Sequence, residues 1–368
     1  MSKAAELAAL IGGQSSLAMP NMIINGDCRV AQRGTSTASI TGGSNYVVDR
    51  WMFNPSGHGT WTLSQNSSTG LSEFETSVKM LCTTGGGSPA ASDYVSMTYN
   101  IEGYDTQILK MGTSDAERFT ISFYVKSNKT GTGIVEAQMT SGGASVEYSR
   151  SFTISQANTW EKKSVTMIAN TSLAQDNKTT STGLTLYFIL DSGTNQTTGT
   201  LPTTWADQTF VNRWAGHDLA IGRNADDYME LTGLQVDIGD VAQAFKYESY
   251  ADNLVRCQRY YYVHAEGSTD MLGTGVAEAA AAPSWAAHFP TSMRQAPSLE
   301  VEEGTDYYQS FGGGATDTFD GMLVDDTSPQ SAYLYTSAAK NAGGLTAGRG
   351  VIVVTNNASS KVAFSSEL

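Results

Sequence analysis

The stretch Leu184-Thr-Leu-Tyr-Phe-Ile-Leu190 reads as a β-strand, apolar enough to lie at the centre of a sheet. Its strong aromatic and branched side chains place Tyr187 and Phe188 in a core. Three other runs share its character: Ile121-Ser-Phe-Tyr-Val125, Glu161-Lys-Lys-Ser-Val-Thr-Met-Ile168 and Met229-Glu-Leu-Thr-Gly-Leu-Gln-Val236. Each is short, alternating or rich in β-branched and aromatic residues, and each is bounded by Gly, Asn, Ser or Asp. Gly85-Gly-Gly87, Gly142-Gly143 and residues 170–183 supply the loops between such strands. No helical periodicity interrupts 21–247. Many short strands with turn-rich spacers and no helices between them predict an all-β sandwich or jelly roll over 20–247, not an α/β fold.

The pattern changes at 248–259. Ala251, Leu254, Val255 and Gln258 follow helical spacing without Gly or Pro, which predicts a short linker helix. Cys257-Gln-Arg-Tyr-Tyr-Tyr-Val263 then opens a second, smaller β-sandwich over 260–368. Its strands fall at 284–289, Tyr333-Leu-Tyr335, Val351-Ile-Val-Val354 and 361–364, punctuated by Pro283, Pro290, Pro297 and Gly312-Gly-Gly314. At the other end, residues 3–11 are good helix formers, with Leu7, Leu10 and Ile11 on one face and Gly12-Gly13 as a stop. A helix this short must borrow stability from packing, so within 1–19 it reads either as a frayed terminus or as a peg that orders against a partner. No internal repeat is visible, so a parallel β-helix is not indicated.

The length of 368 residues predicts two or three domains, and 40% apolar composition allows real cores. With 22 Lys and Arg against 36 Asp and Glu, the net charge of −14 argues against phosphate neutralisation on nucleic acid and against docking on anionic lipid. No run of 18 apolar residues occurs, so membrane insertion is not expected. The opening residues lack the apolar core of a signal peptide. Cys28, Cys82 and Cys257 are odd in number and widely spaced, which speaks against a disulfide framework and for folding in a reducing cytoplasm.

Signatures of catalysis are missing. The sequence has no Walker or dinucleotide glycine pattern, no H-E-x-x-H, no zinc-spaced cysteines and no G-x-S-x-G. His58, His217, His264 and His288 are scattered. The pairs Asp226-Asp227, Glu302-Glu303 and Asp325-Asp326 are neighbours that point to opposite faces on a strand, so they read as turn charges. A glycosidase needs no motif for its two carboxylates, but nothing here points to one.

What remains is aromatic: 6 Trp, 17 Tyr and 12 Phe in a chain of low charge. Aromatic faces on β-sandwich loops hold sugar rings, with Asn, Gln and Asp fixing the hydroxyls. Most aromatics in a sandwich are core, and Trp51 is read so; Trp160 fits either role. Trp205 and Trp214 lie in a polar, loop-like stretch and are the first candidates for glycan contact. Trp61, Tyr104 and Tyr228 are weaker versions of the same case. In the second unit, Trp285, Tyr307, Tyr308 and Phe311 are candidates, with Tyr307-Tyr-Gln-Ser-Phe-Gly-Gly-Gly314 read as an exposed aromatic loop; packing against a neighbouring subunit is the alternative for this group.

At this point the residues resemble a known family. Asn21-Met-Ile-Ile-Asn-Gly-Asp-Cys-Arg-Val-Ala-Gln-Arg-Gly34 followed by Tyr46-Val-Val-Asp-Arg-Trp51 resembles the opening of a jelly-roll domain common in phage tail fibre proteins. Phe123-Tyr-Val-Lys-Ser127 and Asn158-Thr-Trp-Glu-Lys-Lys-Ser-Val-Thr166 are similar to its middle strands. Leu231-Thr-Gly-Leu-Gln-Val-Asp-Ile-Gly-Asp-Val-Ala-Gln-Ala-Phe245 and Tyr250-Ala-Asp-Asn-Leu-Val-Arg-Cys-Gln-Arg-Tyr-Tyr-Tyr262 are similar to its close. Phe289-Pro-Thr-Ser-Met-Arg-Gln-Ala-Pro297 and Val362-Ala-Phe-Ser-Ser-Glu-Leu368 resemble the small distal tip domain that follows.

The resemblance implies a bacteriophage receptor-binding protein of the virion. It would be a homotrimer with a carbohydrate-binding-module-like jelly roll, adsorbing to host polysaccharide or lipopolysaccharide without catalysis. Residues 1–19 would then attach it to a tail, adaptor or capsid protein, and Leu254 and Val255 would lie near a trimer axis. Jelly rolls of this kind often hold a structural calcium, for which Asp27 of Asn25-Gly-Asp27 and Asp237 are the counterparts; the alternative is that Asp27 caps a turn. Competing readings are a structural fibre of tail or capsid that contacts only virion proteins, a polysaccharide-degrading tailspike, and a monomeric cellular sugar-binding module.

Overall fold

The computed structural model describes residues 21–368 apart from 313, 338, 339, 341 and 342. The peg residues Leu7, Leu10 and Ile11 lie outside the described residues. The chain divides into two compact units. The first runs to Asn253 and includes Leu368; the second spans Leu254–Glu367. The expected boundary thus moves into the helix α1 (Tyr250–Gln258), instead of lying on either side of it.

The first unit is a sandwich of two antiparallel sheets, with strands numbered along the chain. One sheet has the order β1 (Ser36–Ile40), β4 (Thr60–Asn66), β5 (Ser77–Thr84), β13 (Tyr228–Ile238), β7 (Phe119–Ser127), β10 (Glu161–Met167). The other has the order β12 (Ala206–Asp207), β9 (Ala144–Ile154), β8 (Gly131–Ser141), β11 (Thr182–Ser192), β6 (Tyr94–Glu102), β3 (Trp51–Ser56), β2 (Asn45–Tyr46). Successive strands keep crossing from one sheet to the other, which makes this a jelly roll. The second unit pairs a three-stranded sheet, β14 (Tyr261–Glu266), β23 (Lys361–Ser365), β17 (Ser298–Val301), with a seven-stranded one. The latter runs β19 (Ala315–Phe319), β18 (Tyr308–Gly312), β22 (Gly350–Thr355), β15 (Met271–Ala279), β16 (Ala282–His288), β21 (Ser331–Tyr335), β20 (Leu323–Thr327). The all-β sandwich expected from the strand pattern is the fold.

Alternation decides which side chains enter the first core. Leu184, Leu186, Phe188 and Leu190 of β11 point inward, where Phe188 meets Phe123 edge-on at 5.0 Å and Phe123 meets Phe152 at 5.2 Å. The Asn25-Gly-Asp27 turn is a bracket for the same core. Asn25 adopts φ 58°, donates from Nδ2 to the carbonyls of Val30 and Asp49 at 2.8 and 3.0 Å, and accepts at its own carbonyl from Trp51 Nε1 at 2.9 Å. Asn tolerates this left-handed conformation better than most residues, because its short side chain bonds locally.

One local expectation is corrected. Residues 307–314 are not an exposed loop: Tyr308–Gly312 is strand β18, pairing with both β19 and β22. In α1 the fully buried positions are Asn253 and Cys257, one turn apart, whereas Leu254 is half-buried and Val255 is 49% exposed. Asn253 is fixed by polar bonds, its Oδ1 accepting from Asn25 N at 3.0 Å and its Nδ2 donating to Asp27 at 3.2 Å. An amide held in this way hides from a reading based on apolar spacing.

Candidate functional site: the outer face of the first seven-stranded sheet

Because β11 sends Leu184, Leu186 and Phe188 inward, Thr185 and Tyr187 must face out. Register carries this face across the sheet. Tyr187 lies opposite Thr98 of β6 and Glu136 of β8, and Thr185 lies opposite Asn100 and Gln138. Thr98 in turn lies opposite Met52 of β3, Ser96 opposite Asn54, and Gln138 opposite Glu147 of β9. Directly opposed residues share a face, so Asn54, Thr98, Asn100, Thr185, Tyr187 and Gln138 form one polar platform.

The platform is tied internally. Thr185 Oγ1 donates to Asn100 Oδ1 at 2.8 Å, Tyr187 OH donates to Gln138 Oε1 at 3.3 Å, and Asn54 Nδ2 donates to Tyr94 OH at 3.3 Å. Asn54, Tyr94, Asn100, Gln138 and Tyr187 are half-buried, so their polar atoms are fixed without being sealed. These are amphipathic and amide groups of the kind that recognise hydroxyls.

One end of the platform is closed by the segment that contains Arg213 and Trp214. Arg213 grips Glu136 with two nitrogens, Nη2 to Oε1 at 2.7 Å and Nε to Oε2 at 3.1 Å, and Trp214 Nε1 donates to Glu136 Oε2 at 2.6 Å. The Arg213 guanidinium lies 5.1 Å from the Tyr187 ring centroid and 4.5 Å from that of Trp214. Burial alone would lower the pKa of Arg213; the Glu136 charge and its hydrogen bonds outweigh this and raise it. The guanidinium therefore stays charged and the planar fork holds its place. Glu147 is a second carboxylate beside it, its Oε2 at 3.7 Å from Arg213 Nε without a hydrogen bond. Burial first and the charge of Glu136 second push its pKa up to about 7. Beyond this cluster, burial holds His217 down to about 4, with its Nε2 against the Ile189 carbonyl at 3.1 Å.

The structure redistributes the aromatic candidates. Trp214 is wholly buried against Ile134 and Ile189, so it plugs the platform's end and does not touch a ligand. Trp61 is core, edge-on to Phe53 at 5.3 Å; Trp285 and Tyr308 are core of the second unit, packed on Phe319. Being sealed from solvent, these four are not glycan contacts. Trp205 is half-buried, its Nε1 donating to the Ile168 carbonyl at 2.9 Å and its ring against Tyr148 at 5.6 Å. Tyr228 is half-buried beneath Lys79 Nζ at 4.8 Å from its ring, and Tyr307 is half-buried too. Tyr104 and Phe311 are exposed, at 55% and 40%. Among the described residues no ring contact joins any two of the nine directly, although Trp285 and Tyr308 meet through Phe319.

Tyr187 is the reverse correction: expected in the core, it faces outward. The signal that finds it is the Leu-Thr-Leu-Tyr-Phe alternation, which the general apolarity of the strand masks.

The calcium expectation does not fit the side chains. Asp27 is bonded by Arg29 and by Asn253, while Asp237 is bonded by Gln235 Nε2 at 2.9 Å and the Gln243 amide at 3.0 Å, with Lys246 Nζ at 3.4 Å. Each carboxylate already has its own cation. Among the described residues no cluster of three or more His, Cys, Asp and Glu could hold a metal.

No family model and no curated protein matches the chain. Several solved structures are similar to it. The enzymatically active domain of tailspike protein 4 from bacteriophage CBA120 is 12% identical, with TM-score 0.31, over 60% of this chain and 21% of that one. TmCBM61, solved with β-1,4-galactotriose, is 10% identical, with TM-score 0.28, over 60% of this chain and all of that one, 100%. The tandem CBM22-1–CBM22-2 of Paenibacillus barcinonensis Xyn10C is 11% identical, with TM-score 0.31, over 95% of this chain and 91% of that one.

Proposed function

We propose that the first unit binds a host-surface glycan on the outer face of its seven-stranded sheet, and that the protein is a non-catalytic, homotrimeric phage fibre. The observation that carries the binding reading is the half-buried Tyr187 ring set among Asn54, Asn100, Thr185 and Gln138 on one rigid sheet. A ring offers an apolar face to sugar C–H groups, and fixed amides and hydroxyls orient the rest. The virion part of the reading, with adsorption to polysaccharide or lipopolysaccharide and attachment through residues 1–19, rests on the sequence resemblance.

A tailspike-like hydrolysis would need an acid and a second carboxylate, and Glu147 and Glu136 are the nearest pair by chemistry. Both are wholly buried, and Glu136 is held by Arg213 and Trp214. A glycosidic oxygen does not reach them, which supports binding over cleavage.

The test is titration of purified host polysaccharide into the full chain by calorimetry, with Tyr187→Ala and Gln138→Ala alongside and reducing ends assayed in the same samples. Loss of about tenfold or more in affinity for each variant, with no sugar release, is expected. Undiminished binding by both variants would move the site elsewhere, and sugar release would replace binding by hydrolysis.

A further inference from the structure

The six-stranded sheet of the first unit has an outer face too, and its register sets a charged row there. Lys79 of β5 lies opposite Ser64 of β4 and Glu230 of β13, and Glu230 lies opposite Lys126 of β7. Their chain neighbours Val78, Met80, Met229, Leu231 and Val125 are core, so the row points out. Glu230 is nevertheless sealed, at 2% exposure. Its Oε2 accepts from Asn66 Nδ2 at 2.8 Å and from Ser77 Oγ at 3.0 Å. Its Oε1 has Lys79 Nζ at 3.9 Å and Lys126 Nζ at 3.7 Å. Aromatic rings flank both amines. Lys79 Nζ lies 4.8 Å from the Tyr228 ring centroid, and Lys126 Nζ lies 5.7 Å from that of Trp160. The rings are fixed in turn: Tyr228 OH donates to Asn158 Oδ1 at 2.8 Å, and Trp160 Nε1 donates to the Thr69 carbonyl at 2.9 Å. Both rings and both lysines are half-buried, so each keeps a side toward solvent.

We infer that this row is a second ligand site, and that it takes a sugar unit bearing one carboxylate, a hexuronate. The inference goes beyond the Tyr187 face and does not depend on it. Charge carries it. One amine neutralises Glu230, and two leave a surplus of one positive charge in a chain whose net charge is −14. At 3.9 and 3.7 Å neither amine is within hydrogen-bond distance of Glu230 Oε1. An ammonium carries three N–H groups, so both can turn donors to a second anion. The next charges along the face pair off. Lys162 and Glu73 meet at Tyr124, the first 5.7 Å from its ring and the second accepting from its hydroxyl. Lys129 holds Asp227 at 2.9 Å, and Lys163 holds Glu161 at 2.5 Å. Glu75 and Asp226, four positions along the chain from Lys79 and Glu230, are exposed, where water and salt screen them. The surplus therefore stays at Lys79 and Lys126. A single positive charge matches a carboxylate, whereas a phosphate monoester carries about −1.5 to −2 at pH 7. The Tyr228 and Trp160 rings select a sugar among carboxylates, because their faces stack on sugar C–H groups and a bare anion makes no use of them.

The probe is α-1,4-trigalacturonate, with its methyl ester as the same skeleton without charge. Both are titrated by calorimetry into the full chain at low salt, as wild type, Lys79→Met, Lys126→Met and Tyr187→Ala. Each lysine variant keeps one amine for Glu230, and circular dichroism is the fold control. The acid should bind wild type about tenfold or more tightly than the ester, and each lysine variant should lose about tenfold for the acid. In parallel, acetylation of Lys79 and Lys126 in the wild type is followed by peptide mass, with and without trigalacturonate, which should protect both amines. If a variant fails to fold, that protection decides. Equal binding of acid and ester, or no protection of either amine, overturns the inference. So does displacement of trigalacturonate by inorganic phosphate at matched ionic strength, which would make this a phosphate site. Trigalacturonate binding lost in Tyr187→Ala and kept in both lysine variants would place the acid on the other sheet and overturn this site alone. Host polysaccharide bound through Tyr187, with no response to trigalacturonate, would do the same and leave the proposed function standing.

Discussion

In the first unit, the side of the seven-stranded sheet turned away from the core carries Asn54, Thr98, Asn100, Thr185, Tyr187 and Gln138, with Thr185 bonded to Asn100 and Tyr187 to Gln138. In the second unit, the corresponding side of its own seven-stranded sheet carries Phe311, Ile352, Val276, Met271 and Leu323, whose side chains have no hydrogen-bonding groups to tie them. Both sheets are antiparallel and both bury their other face. The difference lies wholly in the outward positions of the alternation. Backbone pairing is indifferent to those positions, so they are free to differ: polar in one case, apolar in the other.

The comparison breaks first at the end of the polar face. If Trp214 is a plug, Trp214→Ala removes a fully buried indole and one of the two donors to Glu136 Oε2, leaving Arg213 Nε as the other. We expect a loss of about 3–5 kcal/mol in the urea stability of the first unit. A Trp214→Ala protein that melts like wild type but no longer binds glycan would return this residue to the list of contacts.

Next in size is a pair of opposed pH slopes behind the same face. Glu147 keeps its proton in the fold up to about 7, against 4.5 when unfolded, so above pH 4.5 folding must carry a proton that the unfolded chain has lost. Stability contributed this way falls as pH rises from 4.5 to 7. His217 is depressed from 6.5 to about 4, so below pH 6.5 the unfolded chain takes up a proton that the fold refuses. Stability contributed this way falls as pH drops from 6.5 to 4. Between pH 4.5 and 6.5 the two slopes oppose each other. Glu147→Gln removes the first and should expose a rise of up to about 1.4 kcal/mol per pH unit; His217→Asn should expose a fall of the same size. Urea melts at pH 4.5, 5.5 and 6.5 check this. Parallel profiles for wild type and both variants would show that these groups do not titrate as their burial requires.

How much of this was legible in the sequence follows from what alternation can and cannot carry. The strands at 121–125, 184–190, 229–236 and 351–354 were visible, because β-branched and aromatic runs between turn residues have few other fates. The polar face was hidden inside the same runs. Thr185 and Tyr187 sit among five apolar neighbours, and only the pairing of β11 with β6 and β8 shows that Asn100 and Gln138 share their side. Trp214 misled for the opposite reason. Its polar neighbours, Arg213 among them, suggested an exposed loop, but Arg213 and Trp214 itself are bonded to Glu136, a buried carboxylate on a strand 77 and 78 positions earlier. A loop's composition does not reveal that it folds back over a sheet.

Tyr187 sharpens the comparison at a smaller scale. Its ring is half-buried on the platform, with Arg213 over it, so Tyr187→Ala should weaken glycan binding by about 1.4 kcal/mol or more, the tenfold loss expected above. The same change should cost less stability than Trp214→Ala, because a half-buried ring leaves a smaller cavity than a sealed one. Calorimetry and urea melts on one preparation separate the two effects. Equal losses of stability would mean that Tyr187 is core after all and that the platform is shorter than the register implies.

The smallest effect tests the apolar face one residue at a time. Met271 and Leu272 are adjacent in β15, the first 60% exposed and the second sealed in the core. In chains diluted to the monomer, Met271→Gln should change stability by no more than about 0.5 kcal/mol, because its side chain is already in water. Leu272→Ala, read in the same melts as a ruler, removes inward packing and should cost several-fold more. A cost for Met271→Gln comparable to that of Leu272→Ala would mean that the chain itself covers this side of the sheet. The second unit would then have no bare face, and the contrast with the polar face of the first would lie in packing.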